Sequence, residues 1–263
     1  MRRERSQQRG PSKLDGSHGE QPQGALFLIG VPIGHPDDIT IRALSILRRV
    51  DIVATEDPLS TQVLFRHHNL HPTLTSYGPT KIQDKVEILI NRLQQGASVA
   101  LLSDCGSPVI SDPGSLLVTA AQRNNIPVFS LPGPSAVTAA VAASGFPAEA
   151  FHFYGDLPTN AGSLKRRLMD ILRHAEPTIL FCSTKCCSAI LCAITKVAPR
   201  REVALACDLT LEQETTFRGT ARYVAERLKE IRPPQQITMI VAGENARGRK
   251  AGPRSKTSRS PRV

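Results

Sequence analysis

The feature that most constrains this chain is an alternation repeated across residues 25–143: an apolar run, a glycine- and proline-rich loop, then a helical pattern. Ala25-Leu26-Phe27-Leu28-Ile29-Gly30-Val31 reads as a fully apolar strand that empties into Pro32-Ile33-Gly34-His35-Pro36. Asp38 or Thr40 can cap the next helix, whose apolar positions Ile41, Leu44 and Leu47 recur at helical spacing. A second strand over 51–55 ends at Glu56-Asp57, and a helix over 60–68 leads to a strand over 74–77. Gly78-Pro79 turns the chain, and Thr80 can cap a helix with Ile82, Val86, Leu89, Ile90 and Leu93 on one face. A strand over 98–102, a long loop and a helix over 116–121 follow. Then come a strand over 126–131, the turn Pro132-Gly133-Pro134-Ser135, and an alanine-rich helix over 136–143 that Ser135 can cap. Such alternation predicts a mainly parallel sheet covered by helices.

A second unit begins near Phe151-His152-Phe153-Tyr154. It offers a helix capped by Ser163 and bearing Leu164, Leu168, Ile171 and Leu172, then a strand over 178–182, a helix over 185–198 and a strand over 202–207. An extended stretch over 212–218 precedes a helix capped by Thr220, with Tyr223, Val224, Arg227, Leu228 and Ile231, which Pro233-Pro234 stops; a strand over 236–242 is last. The expected fold class is therefore α/β, with two α/β domains over 25–146 and 147–245. The first carries a mainly parallel sheet and the second a mixed one, and the cleft between them is the natural seat for a ligand.

Charge is unevenly placed. The formal net charge is +10, but residues 246–263 hold seven basic residues and no acid, and residues 1–24 are net +2. The folded body is close to neutral, and two polar tails, expected to be disordered, make the protein basic. Basic tails attract polyphosphate without reading its sequence. No apolar run approaches the ~18 residues of a membrane span, and the N-terminus lacks the apolar core of a signal peptide. The six cysteines are therefore expected as reduced thiols in a cytoplasmic protein with no membrane partner.

The richest stretch chemically is Ser103-Asp104-Cys105-Gly106-Ser107-Pro108-Val109-Ile110-Ser111-Asp112-Pro113-Gly114, between a strand and a helix. Prolines fix its shape, glycines let backbone approach a ligand, and serines and aspartates supply donors and acceptors. In an open α/β sheet, ligands sit beyond the carboxyl ends of the strands. Gly34, Glu56-Asp57 and Pro132-Gly133 share that address.

Several of these stretches in order resemble the tetrapyrrole methylase superfamily, and within it the branch that methylates a cytidine ribose 2′-hydroxyl in small-subunit ribosomal RNA. They are Leu28-Ile29-Gly30-Val31-Pro32-Ile33-Gly34, Thr55-Glu56-Asp57, Ser103 to Pro108 with Ile110 to Gly114, Leu131 to Ala136, Ala143 to Pro147, and Phe217-Arg218-Gly219. The resemblance implies S-adenosyl-L-methionine as methyl donor, a homodimer, and ribosomal RNA or the small ribosomal subunit as partner. It implies cofactor contacts from Pro32, Gly34, Ser103, Asp104, Gly106, Ser107, Ser111, Asp112, Pro132, Gly133 and Ser135. A ribose hydroxyl is a poor nucleophile, so a general base would help, and Glu56, Asp57 and Asp104 are the candidates. A methylase of a tetrapyrrole or other small substrate, or a non-catalytic RNA-binding protein, stands as the alternative.

The chain departs from the pattern at His35, Pro58-Leu59, Gly78 to Lys81 and Ser183 to Cys187. Two of these departures remove an arginine, which weakens phosphate clamping; Lys81 and Lys185 can supply point charges. No metal is expected. Cys182, Cys186, Cys187 and Cys192 lack paired ligand spacing and read as small hydrophobes. His67, His68 and His71 show no neighbouring carboxylate or thiol in sequence. Cys105 has no identifiable base to make it a nucleophile.

Overall fold

A computed structural model of the chain describes residues 24–244. The basic tails expected over 1–24 and 246–263 lie outside the described residues, Gly24 excepted. The first sheet is five-stranded and wholly parallel, in the order β3-β2-β4-β1-β5: β1 (Leu26–Ile29), β2 (Ile52–Thr55), β3 (Thr73–Ser76), β4 (Val99–Leu101) and β5 (Val128–Leu131). Its helices are α1 (Ile41–Leu47), α2 (Pro58–His67), α3 (Ile82–Gln94) and α4 (Ser115–Arg123), with α5 (Ala136–Ser144) following β5. The first core divides between the two sheet faces: Phe27, Ile29 and Val53 pack with α1 and α2, while Leu26, Val99 and Leu101 pack with α3 and α4. Strands buried on both faces are why they read as apolar runs rather than alternations.

The second sheet has the order β6-β7-β10-β8-β9: β6 (His152–Asp156), β7 (Thr178–Cys182), β8 (Glu202–Cys207), β9 (Thr215–Thr220) and β10 (Ile237–Val241). Only the β6–β7 pair is parallel, so this sheet is mixed as expected. Helices α6 (Ala161–Ile171), α7 (Thr184–Val197) and α8 (Ala221–Lys229) cover one face. On α8 the amphipathic spacing buries Ala221, Val224 and Leu228, and a fully buried Val or Leu side chain contributes about 1.5–3 kcal/mol.

The opposite face of this sheet is covered by α5. Val137 and Ala140 join Ile179, Ala204, Ala206 and Ile240 in one core, together with Ile33 and Phe146. So α5, which follows the first sheet in the chain, packs on the second. Arg218 secures its end: the guanidinium donates to the carbonyl of Gly145 at 2.7 Å and lies 4.1 Å from the centre of the Phe146 ring. Gly145, with φ +65°, is the left-handed residue that stops the helix.

Four local expectations need correction. Ile41 does not join the apolar face of α1; it is 87% exposed, and Ala43 and Ile46 take the inward positions with Leu47. Thr80 does not cap α3, because Lys81 occupies the N-cap in a left-handed conformation with no side-chain bond. Ser163 does not cap α6. Asn160 does so from three residues earlier, accepting from Gly162 N–H and Ser163 N–H at 3.0 and 3.2 Å. Ser135 stands at the N-cap of α5, but its side chain makes no capping bond. Thr40 and Thr220 cap α1 and α8 as expected. Among the described residues, no helix is long and apolar enough to cross a membrane.

Candidate functional site

The loops after β1, β4 and β5 meet at Gly106. Val31 and Gly106 exchange backbone hydrogen bonds of 2.8 and 3.1 Å, which pin the first loop to the long one. A Cβ on Gly106 would lie 3.6 Å from Ile33 Cγ2 and 3.9 Å from the carbonyl of Pro134. Gly30 and Gly133 approach still closer, a Cβ on Gly133 falling 2.7 Å from the Gly30 carbonyl oxygen. Any side chain there would force β1 and β5 apart at their carboxyl ends.

The second lobe closes on the same loops. Beside Gly34, a Cβ would meet the Leu209 carbonyl at 2.5 Å, and the backbone N–H of His35 donates to Thr210 Oγ1 at 2.8 Å. A Cβ on Gly155, in β6, would fall 2.4 Å from Ser111 Oγ. Backbone strain gathers along this seam: Val109, Ser111, Asp208 and Thr210 all have positive φ. For the β-branched Val109 and Thr210 that conformation costs on the order of 1–3 kcal/mol. Asp208 is held by its neighbours, its Oδ1 accepting from Gln235 N–H and Gln236 N–H at 2.8 and 2.9 Å.

The candidate carboxylates separate into two kinds. Asp57 caps α2, its Oδ1 accepting from Leu59 N–H at 2.9 Å. Asp104 braces that turn, its Oδ1 accepting from Asp57 N–H at 3.1 Å. Glu56 and Asp112 make no side-chain hydrogen bond among the described residues. Asp112 is half-buried, and burial first, then the nearby charges of Glu56, Asp104 and Asp156, push its pKa up to about 6. Asp156 comes from β6, so the carboxylate group spans both lobes. Nothing in the sequence linked Asp156 to the loop at 103–114, or Leu209 and Thr210 to the loop at 32–35, because only the lobe contact brings them there.

Ser103 is buried and turned inward, donating to the carbonyls of Cys105 and Gly106 at 3.1 and 3.2 Å. It shapes the loop. Burial, with Asp112 and Asp104 beside it, pushes the Cys105 thiol up, which argues against a thiolate nucleophile. Of the clustered cysteines, Cys182 and Cys187 are buried in the second core and Cys192 is exposed.

S-adenosyl-L-methionine carries an adenine, a ribose, an amino-acid end and a sulfonium cation, and the residues present suit these groups. The N-caps of α4 and α5, Gly114 and Ser135, provide no side-chain bond, so first-turn N–H donors are left for a carboxylate. The surrounding carboxylates favour a cation. Pro32, Gly34, Ser107, Pro132 and Gly133 belong to the loops that converge here.

Comparison with known proteins gives the family and the fold. The family model described as tetrapyrrole (corrin/porphyrin) methylases matches residues 25–225. A relative from Thermotoga maritima, named ribosomal RNA small subunit methyltransferase I, is 37% identical over 222 residues, 84% of this chain and 99% of its own length. A cobalt precorrin-4 methyltransferase superposes with a TM-score of 0.63 at 20% identity, covering 85% of this chain and 98% of that one. A Thermus thermophilus uroporphyrin-III C-methyltransferase, solved with S-adenosylhomocysteine, gives a TM-score of 0.57 at 19% identity, covering 85% of this chain and 99% of that one. At such identities the solved structures establish the fold.

Proposed function

Because the chain belongs to the tetrapyrrole (corrin/porphyrin) methylase family, we propose that it transfers a methyl group from S-adenosyl-L-methionine to small-subunit ribosomal RNA, at the 2′-hydroxyl of a cytidine. The observation that carries this reading is the similarity, at 37% identity, to a relative named for ribosomal RNA over 99% of that relative's length. The cofactor supplies an already activated methyl group. The chain's own task is to align a hydroxyl with it and to take the hydroxyl proton, and such alignment can drive a displacement hard.

Asp112 is assigned as the base and Glu56 as its partner, since Asp57 and Asp104 are engaged by backbone N–H groups. A carboxylate titrating near 6 accepts a proton better than an ordinary one and is still ionised at neutral pH. The loops at 32–34, 103–114 and 132–135 are assigned to the cofactor, and the basic tails to the RNA phosphates. A cytoplasmic location is part of the same proposal, and a ribosomal substrate supports it.

A homodimer is part of the proposal. Ile41, Leu59 and Val63 are 87, 74 and 62% exposed, large apolar side chains that a partner copy would take out of water. Leu59 and Val63 share one face of α2, one turn apart.

The deciding experiment maps ribose methylation in small-subunit ribosomal RNA from a deletion strain, alongside one complemented with the gene. Loss of one cytidine 2′-O-methyl group, restored on complementation, is expected. An unchanged map removes ribosomal RNA as substrate and leaves a small-molecule methylase as the alternative.

A further inference from the structure

Histidines that had no partner in sequence have one in space. His67 Nε2 lies 2.7 Å from Asp37 Oδ1, and His68 Nε2 lies 2.9 Å from the Pro36 carbonyl oxygen. One ligand atom from each of Asp37, His67 and His68 lies within 4.8 Å of the other two. We propose that these three residues form a binding site for a divalent transition-metal cation of the zinc class, made of residues other than those assigned to methyl transfer.

Local geometry brings the ligands together. Adjacent residues on a continuing helix point apart, but α2 ends at His67 and His68 is its C-cap, with φ −100° and ψ 11°. The two rings therefore meet edge to face, 4.7 Å between centres and 83° between planes. Asp37 comes from the short 3-10 turn Pro36–Asp38, which is braced by Asp37 N–H donating to His35 Nδ1 at 3.2 Å. The turn and the helix end are thus positioned before any ion arrives.

The donor set suits the chemistry. Two imidazoles and a carboxylate are borderline ligands that favour zinc, cobalt and nickel over calcium or magnesium. Tetrahedral zinc with ligand bonds of about 2.1 Å needs donors about 3.4 Å apart. The His67–Asp37 pair has only to open slightly, and both side chains are exposed enough to do so. Water fills the fourth position. An ion here would tie the segment leaving β1 to the C-terminal end of α2. The other end of each segment, at Gly34 and at Glu56-Asp57, reaches the candidate methyl-transfer site.

The test is a calorimetric titration of zinc into the full chain, purified without a histidine tag. One equivalent should bind, with at least tenfold weaker binding for Asp37→Asn and none at this site for His67→Ala/His68→Ala. Melting in chelator should remain a single cooperative transition within about 4 °C for all three proteins, the lost surface hydrogen bonds being worth little, which separates metal loss from misfolding. Cobalt substitution should give visible d–d bands without a thiolate charge-transfer band, and these should vanish in the double variant. The proposal falls if the wild type takes up no zinc, or if the double variant keeps the same stoichiometry and affinity. It falls equally if a thiolate band shows that Cys105 or Cys192 holds the ion.

Discussion

Asp112 is the residue whose environment departs furthest from water among the loop carboxylates. The folded protein holds its proton up to about pH 6, whereas the unfolded chain releases it near the ordinary value of 3.8. Between those values the folded state binds more protons, so stability falls as pH rises through that window. Asp112→Asn should therefore match the wild type near pH 3.5 and exceed it at pH 8 by about 1 kcal/mol, the full shift being reduced by solvent screening. A melting midpoint about 2 °C higher at pH 8 would check this. The same substitution should lower kcat by about 10²–10⁴-fold if Asp112 accepts the hydroxyl proton. Glu56 raises the Asp112 pKa by its charge. Glu56→Gln should then move the acid limb of the kcat/KM profile from near pH 6 to lower pH. A limb that stays in place would remove Asp112 from the chemistry. Strand-end positions flagged these carboxylates in the sequence, but their division of labour was hidden. Whether Asp57 caps or catalyses depends on the first turn of α2, and the load on Asp112 comes first from burial in the fold, then from Glu56 and Asp104, and last from Asp156, 44 positions away in the chain.

At the scale of elements, the two close glycines at the ends of β1 and β5 make a sharper demand than any polar residue. Gly133→Ala places a methyl group 2.7–2.8 Å from three backbone atoms of Gly30, which cannot yield as a flexible side chain would. A loss of about 3 kcal/mol is expected in denaturant unfolding. Gly106→Ala has room, its nearest neighbours lying 3.6 and 3.9 Å away, and pays only for φ +76°, about 1 kcal/mol. Equal costs at the two positions would contradict this account. Strand and helix order were legible because the periodicities are strong and the strands are buried on both faces. The misplaced caps at α3 and α6 have one cause. Thr80 and Ser163 are good cap residues by type, yet the chain enters those helices through Lys81 in a left-handed turn and through Asn160. Propensity identifies a residue able to cap; the direction of the incoming chain selects the one that does.

For the whole molecule, the exposed apolar residues Ile41, Leu59 and Val63 set the expectation for assembly. Leu59→Asp with Val63→Glu should convert a dimer to a monomer by light scattering while leaving the monomer folded, since neither side chain belongs to a core. A dimer that survives both changes would move the interface elsewhere. The sequence hid the exposure of Ile41 because Ile41 sits at a spacing that suits the core of α1, while the neighbouring Ala43 and Ile46 take that place.

Finally, α5 belongs to one sheet by chain order and to the other by contact. Nicking the backbone between Gly145 and Phe151 would leave Val137 and Ala140 on one fragment and their partners Ile179, Ala204 and Ile240 on the other. Each fragment expressed alone would carry a raw apolar face and precipitate. Produced together, the fragments would reassociate, and the protein would melt as a single cooperative block.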